Sequence, residues 1–228
     1  MAGPDTAFLY GERPEWHFHV SAVLLLDPST ATAPLTLEGL RDLVERRIHR
    51  VPQFRWKVVT VPAGVDHPLF VDDPDFDPER HLRHVAVPAP GDEEAFGRLI
   101  GHLASTKIDR CHPLWEAWLI EGRADGRVAL LMKLHHSIID GVSGSDMATM
   151  LFDLEPDPPP DPPPPPYEPE PVPGPERRAV DSAVHLATLP WRAAKLGAQL
   201  LLQGASVVRH AFDDVAPAQP FSAPRTIL

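Results

Sequence analysis

The sequence predicts a mixed α/β fold, and the patterning of its first two thirds is the basis for this prediction. Runs rich in Val, Leu and aromatic residues predict strands over residues 17–26, 54–61 and 115–134. The last range is split by a Gly- and Asp-containing turn at 122–126, which favours an antiparallel hairpin. Amphipathic helices between and after these strands complete the pattern, and such elements pack as a sheet covered by helices.

Three segments show apolar residues at helical spacing. The first begins at Thr36, a residue type that caps helices, and the second runs from about Asp92 to Ser105. The third, from Ser143 to Leu154, follows the polar run that ends the hairpin. The apolar positions of the first are Leu37, Leu40, Val44 and Ile48, and those of the second are Phe96, Leu99, Ile100 and Leu103.

The domain organisation follows from the distribution of the prolines. The 228 residues include 29 prolines, and residues 155–175 alternate proline with acidic residues. Such a run lacks the amide donors and the apolar surface of a folded core, so we predict an exposed, semi-rigid polyproline-type linker. We therefore divide the chain into a folded domain at 1–154, a linker at 155–178 and a helical segment at 179–228, in which Pro190 kinks or divides the helix.

Charge and cysteine content exclude several classes of protein. A formal net charge of −11 argues against nucleic acid as a partner. Cys111 is the only cysteine, so an internal disulfide and a thiolate metal cluster are both excluded. Residues 1–5 lack the features of a signal peptide, and we expect a cytoplasmic protein. Residues 179–212 combine basic side chains with an apolar face, which favours either packing against protein or contact with a membrane or lipid-droplet surface.

The run at residues 134–141 (LHHSIIDG), at the end of the hairpin, carries the candidate chemistry. Transfer of an acyl group to an alcohol needs a base that removes the hydroxyl proton, and the ordinary pKa of imidazole suits this task. We assign that role to His136. Asp140 either orients the imidazole or braces the turn, and we favour the brace, while Gly141 supplies backbone freedom for the turn.

The pattern His-His-x-x-x-Asp-Gly after an apolar strand resembles the active-site motif of acyltransferases with a chloramphenicol-acetyltransferase-like fold, a group that includes nonribosomal peptide condensation domains. The flanking residues look most like the bacterial wax ester synthase/acyl-CoA:diacylglycerol acyltransferase family. The similarity covers most of residues 5–154 and rests on Phe8-Leu9-Tyr10, Asp72 to Asp77, Arg80 to Val85, Ile108-Asp109-Arg110 and Pro113-Leu114-Trp115-Glu116.

This resemblance implies an α+β two-layer sandwich that forms one half of a two-domain pseudo-dimer. It implies His136 as the general base, His135 as a supporting residue and Asp140 as a structural brace. The implied substrates are acyl-CoA and either diacylglycerol or a long-chain alcohol, with no further cofactor. Family members are roughly twice this length, so the resemblance also implies a complementary C-terminal half, present as a separate chain or removed.

Two other functions remain open at this point. A condensation-type enzyme would use the same base with an acyl donor bound to a carrier protein, and a non-catalytic half would bind lipid without turnover. Other polar groups are weaker candidates, and we predict no metal site. We interpret residues 113–116 as a turn that enters a strand, and the pairs His17/His19 and His81/His84 and the run Asp72 to Asp77 as ordinary polar residues.

Overall fold

The computed structural model describes residues 3–31, 33–139, 152–153, 155, 158–188 and 190–191. The chain forms two compact units, Met1–Pro175 and Glu176–Leu228. In the second unit, the described residues 176–188 and 190–191 are helical. This helix already begins at residue 175, inside the segment that the sequence assigned to the linker.

The first unit is built around a four-stranded mixed sheet in the order β1-β6-β5-β4. Strands β1, β6 and β5 are antiparallel neighbours, whereas β4 runs parallel to β5. Strands β2 and β3 form a separate antiparallel pair. In chain order the elements are α1 (Gly3–Gly11), β1 (His19–Leu26), α2 (Leu37–Arg47), β2 (Trp56–Val59), β3 (Leu69–Asp72), β4 (Leu82–Ala86), α3 (Glu93–Ser105), β5 (Trp115–Glu121), β6 (Val128–His135) and α4 (His136–Ile139).

Strand β6 separates two hydrophobic cores. It is paired along both edges, and residues 129–135 are all buried. Because side chains alternate along a strand, Leu130, Met132 and Leu134 enter the core that also contains residues of α2. Ala129 and Leu131 face the opposite core, which is formed with α3. The end of β6 is therefore fixed by packing on both faces of the sheet.

The amphipathic helices α2 and α3 confirm two of the predicted elements. Thr36 caps α2 by accepting a hydrogen bond from the amide of Gly39 (3.1 Å), and Asp92 caps α3 by accepting one from Ala95 (2.8 Å). The predicted hairpin is also confirmed as β5 and β6. The predicted helix from Ser143 to Leu154 falls almost entirely on residues that the structure does not describe.

Helix α1 and strand β4 lie where the sequence predicted no element. Helix α1 packs near the end of β6, and its stripe of apolar residues is too short to give a clear period. Strand β4 has charged residues between its apolar ones because it is an edge strand with exposed side chains at Arg83 and His84. Strand β2 is shorter than the predicted 54–61, since residues 52–55 form a turn of 3₁₀ helix.

Part of the proline-rich segment is held against the first unit. The buried guanidinium of Arg47 in α2 donates hydrogen bonds to Asp161 (2.5 Å) and to Asp153 (2.8 Å). Farther along, the ring of Tyr167 lies under the guanidinium of Arg55, 4.2 Å from its carbon to the ring centroid. The Tyr167 hydroxyl donates to the carbonyl of Asp73 (3.1 Å). The segment expected to be an exposed linker is thus anchored at two points.

We predict that Asp161→Ala will release this segment. Loss of the carboxylate leaves the buried Arg47 with one fewer partner, and we expect the free energy of unfolding to fall by about 2 kcal/mol. Urea unfolding will measure this change, and the ring resonances of Tyr167 in NMR spectra should move towards those of an exposed tyrosine. The exposed Glu168→Ala is the matched control. Equal stabilities and unchanged Tyr167 resonances for the two variants would contradict the prediction.

Candidate active site

The two histidines of the motif lie where the central strand ends. His135 is the last residue of β6, paired with His19 of β1, and its amide donates to the carbonyl of Leu114 (2.9 Å). His136 opens α4, and its amide donates to the carbonyl of Phe18 (2.7 Å). The sequence predicted a strand that ends at residue 134, with both histidines in the loop that follows. Strand pairing instead extends through His135, so main-chain hydrogen bonds on both sides fix the motif.

The side chain of His135 is enclosed, and its hydrogen bonds define its tautomer. The residue is 1% exposed. Its Nδ1 accepts a hydrogen bond from the amide of Ser137 (3.2 Å) and lies 2.8 Å from the Ser137 hydroxyl. Because a backbone N–H can only donate, Nδ1 must carry the lone pair, and the proton of the neutral ring is on Nε2. Ser137 therefore holds this imidazole in one orientation and one tautomer.

Burial also keeps His135 uncharged. Desolvation lowers the pKa of His135 to about 4, with the negative charge of Glu12 opposing the shift and the positive charge of Arg110 reinforcing it. The ring is accordingly neutral throughout the physiological range and does not gain a proton there. These properties fit a residue that supports the site rather than one that takes the substrate proton.

His136 has a different environment, although it is the next residue. Its imidazole is partly exposed and stacks on the ring of Phe8 in α1, with 4.0 Å between the ring centroids and 23° between the planes. Phe8 in turn packs against Phe18 of the segment before β1, at 5.6 Å. The Nδ1 atom of His136 is buried, and it has no hydrogen-bond partner among the described residues. The ring is therefore partly accessible, and its described side-chain contact is the stack on Phe8.

The remaining motif residues cannot be placed beside these histidines. Asp140 and Gly141 lie outside the described residues. Their roles as brace and turn stay predictions. The predicted helix N-terminus after Gly141 also falls outside the described part of the chain.

A buried lysine beneath the histidines is a polar residue to which the sequence analysis gave no role. Lys133 is fully buried on the same face of β6 as His135. Its ammonium donates to the carbonyl and the hydroxyl of Thr106 (2.7 and 2.9 Å) and pairs with Glu116 (3.3 Å). Desolvation lowers the pKa of Lys133. The available signal was a single charge within the apolar run 128–134.

Residues 113–116 are structural, as the sequence indicated. The indole of Trp115 is fully buried, stacks on His81 (4.5 Å between centroids) and donates from Nε1 to the carbonyl of Phe54 (2.8 Å). Glu116 is the partner of the buried Lys133. The run therefore joins β5 to the core and supports the lysine.

The other candidate polar residues are bound to neighbouring protein groups. His17, His19 and His81 each donate a ring hydrogen bond to a backbone carbonyl, of Pro14, Ala104 and Trp115 respectively. In the acidic run, Asp73 is buried and pairs with Lys57 (2.7 Å). The described residues contain no group of three or more His, Cys, Asp or Glu side chains placed to hold a metal. Among the described helices, none combines the length and the hydropathy needed to cross a bilayer.

Comparisons with known proteins agree with this geometry. The mixed sheet with its helices has the chloramphenicol-acetyltransferase-like fold that the sequence predicted. The whole chain, residues 1–228, matches the model of the wax ester synthase/diacylglycerol acyltransferase catalytic domain, and the chain belongs to this family.

Individual relatives support the same assignment. A Mycobacterium tuberculosis protein, named as a candidate diacylglycerol O-acyltransferase, is 35% identical over 227 residues, which are 99% of this chain and 45% of the relative. A second such M. tuberculosis protein is 39% identical over 158 residues, or 69% of this chain and 32% of the relative. The structure of a wax ester synthase/diacylglycerol acyltransferase from Marinobacter aquaeolei VT8 superposes with a TM-score of 0.59 and 30% identity, covering 71% of this chain and 38% of that one. The chain thus spans less than half the length of these relatives.

We predict that the buried, neutral His135 makes the fold sensitive to acid. Its pKa is about 4 in the folded state and 6.5 in a model peptide, so the unfolded chain binds more protons between these values. Stability therefore falls as the pH falls through this window. We expect His135→Gln to reduce the loss of unfolding free energy between pH 7 and pH 5 by about 1–2 kcal/mol, as measured by urea unfolding. The exposed His84→Gln is the control. An identical pH dependence in wild type and His135→Gln would refute the explanation.

Proposed function

We propose that this chain is the half of an acyl-CoA-dependent O-acyltransferase that supplies the general base. The acyl group passes from acyl-CoA to diacylglycerol, and also to long-chain alcohols. Membership of the family supports the reaction class. The observation that carries the proposal is the contrast between two adjacent imidazoles, one sealed and neutral at His135 and one accessible at His136. Family membership favours this reading over a carrier-dependent condensation enzyme and over a non-catalytic lipid-binding half.

In the proposed reaction, His136 takes the proton of the acceptor hydroxyl as its oxygen attacks the thioester carbonyl carbon. The carbon–sulfur bond then breaks, and the departing CoA thiolate receives the proton from the His136 imidazolium. The products are the ester and CoA with a free thiol, so the base is regenerated without a covalent enzyme intermediate. His135 supports the base through the fixed main chain, while Asp140 braces the following turn and Gly141 allows it.

A complementary half, as a separate chain or as further polypeptide, completes the enzyme in this proposal. The support is that the relatives named above are more than twice as long as the part of them that this chain matches. The ring of His136 is partly exposed in this chain alone, which leaves a face for substrate and for the second half. We call the assembly of this chain with its complementary half the complete enzyme.

We predict that His136→Ala in the complete enzyme will lower the rate of CoA release by about two orders of magnitude, the scale of general-base catalysis. Release of the CoA thiol from palmitoyl-CoA in the presence of diacylglycerol will measure this rate. His84→Ala, the same substitution at an exposed histidine of β4, should leave the rate unchanged. Wild-type turnover in His136→Ala would show that His136 is not the base. Turnover only with an acyl donor bound to a carrier protein would favour a condensation-type enzyme.

We also propose that the enzyme, in the cytoplasm, reaches its lipid acceptor at the surface of the inner membrane or of lipid droplets. Diacylglycerol and long-chain alcohols are concentrated at such surfaces because they are poorly soluble in water. The second unit supports this idea, since its described helical residues include the exposed apolar side chains of Val180, Val184 and Trp191. Exposed tryptophan is a residue type that membrane interfaces favour.

We predict that the chain will cosediment with phosphatidylcholine vesicles that contain diacylglycerol, and that Trp191→Ala will weaken this binding by about 3-fold or more. Trp16→Ala removes another exposed indole, from the first unit (64% exposed, against 76% for Trp191), and is the matched control. Equal binding of the two variants would place any membrane contact elsewhere, and no cosedimentation of the wild type would contradict the proposal.

A further inference from the structure

The C-terminal end of α1 is anchored by a cation from the segment that precedes β5. The guanidinium of Arg110 donates a hydrogen bond to the carbonyl of Leu9 (2.6 Å). Leu9 lies in the last turn of α1, where carbonyls have no partner within the helix. A positive charge at this end also interacts favourably with the helix dipole. Arg110 therefore fixes the last turn of α1 to a neighbouring segment.

A buried carboxylate strengthens this anchor. The side chain of Glu12, which directly follows α1, is 1% exposed. Its Oε2 lies 3.0 Å from Nζ of Lys107 and also contacts the guanidinium of Arg110, and both contacts are ion pairs rather than aligned hydrogen bonds. A carboxylate removed from water in this way depends on its cations, because a buried charge without a partner is strongly destabilising. The end of α1 is thus held by the carbonyl of Leu9 and by the side chain of Glu12.

The anchored helix contacts His136 through one ring. Phe8 precedes Leu9 in α1 and stacks on the His136 imidazole at 4.0 Å. The main chain of His136 is fixed by the carbonyl of Phe18, but no group in the described part of the chain forms a hydrogen bond with its buried Nδ1 that would set the rotation of the ring. Contact with Phe8 is therefore a main constraint on the orientation of the imidazole. Movement of α1 would change that orientation.

We propose that Arg110 is a positioning residue, which acts through α1 and the ring of Phe8 to orient the imidazole of His136. The inference rests on the proposed function, since it concerns the orientation of the imidazole that acts as the general base. A base must lie within hydrogen-bond reach of the acceptor hydroxyl, and a small misplacement of a catalytic group lowers the rate of the chemical step. Among the described residues no contact joins Arg110 to the His136 imidazole, so the proposed effect on the orientation of this ring passes through Phe8.

A double-mutant cycle in the complete enzyme tests this dependence. We expect Arg110→Met to lower kcat by about tenfold, and Phe8→Leu, which keeps an apolar side chain but removes the ring, to lower it similarly. We expect KM for palmitoyl-CoA and for diacylglycerol to change by less than about twofold, because substrate binding is not the affected step. The double variant should be no slower than the slower single variant, since both changes remove the same constraint.

A spectroscopic measurement on this chain alone provides a second readout. A stacked aromatic ring shields the protons that lie over its face, so the imidazole C–H resonances of His136 should move downfield in Arg110→Met, towards those of an unstacked histidine. Arg98→Met is the matched control, because Arg98 is an exposed arginine of α3 that pairs with Glu94. If Arg110→Met does not fold, Arg110→Lys replaces it in both experiments. Lysine keeps the charge without the planar group, and we expect a smaller loss of kcat, about threefold.

The outcomes separate this inference from the proposed function. Three kinetic results would each overturn the positioning role. They are an unchanged kcat in the Arg110 variant, a change confined to KM, and a loss of kcat in the double variant that equals the product of the two single losses. His136 resonances that stay at their wild-type positions would do the same. If instead His136→Ala retains wild-type turnover, the proposed function itself fails, whatever the Arg110 variants show.

Discussion

The double pairing of β6 is the constraint on which the rest of the structure depends. This strand has neighbours on both edges and hydrophobic cores on both faces, so it cannot shift by one residue without turning every buried side chain to the opposite face. The position where its burial ends is therefore fixed. His135 is the buried last residue of β6, and His136, the first residue of α4, is partly exposed. The pairing of the whole sheet therefore fixes the main-chain position of the residues at this point.

This boundary gives two identical residues different properties. His135 is deprived of water, keeps its proton on Nε2 and stays neutral, whereas His136 retains an accessible ring. The buried ammonium of Lys133 below them is bound to Thr106 and Glu116. A sheet interior that contains charge tolerates it only when such partners are present. Lys133 is such a charge, with its partners, in the middle of a run of apolar residues in β6.

The site is also assembled from segments that are distant in the sequence. Phe8 comes from α1, the carbonyl of Phe18 precedes β1, and Arg110 belongs to the segment before β5. Each reaches His136 or its support because β1 and β5 flank β6. The resulting imidazole is partly exposed and is packed against the ring of Phe8.

The sequence by itself determined the elements whose information is local. Capping residues and apolar spacing defined α2 and α3, the turn at 122–126 defined the hairpin, and the residues around His136 defined the family. Only the tertiary structure decided which histidine is sealed, where Lys133 finds its partners and which helix packs on the imidazole. The burial of a side chain and its hydrogen-bond partners depend on residues up to about a hundred positions away, as in the hydrogen bond between Arg110 and Leu9. No local pattern encodes such contacts, because they exist only once the strands have paired and the two cores have closed.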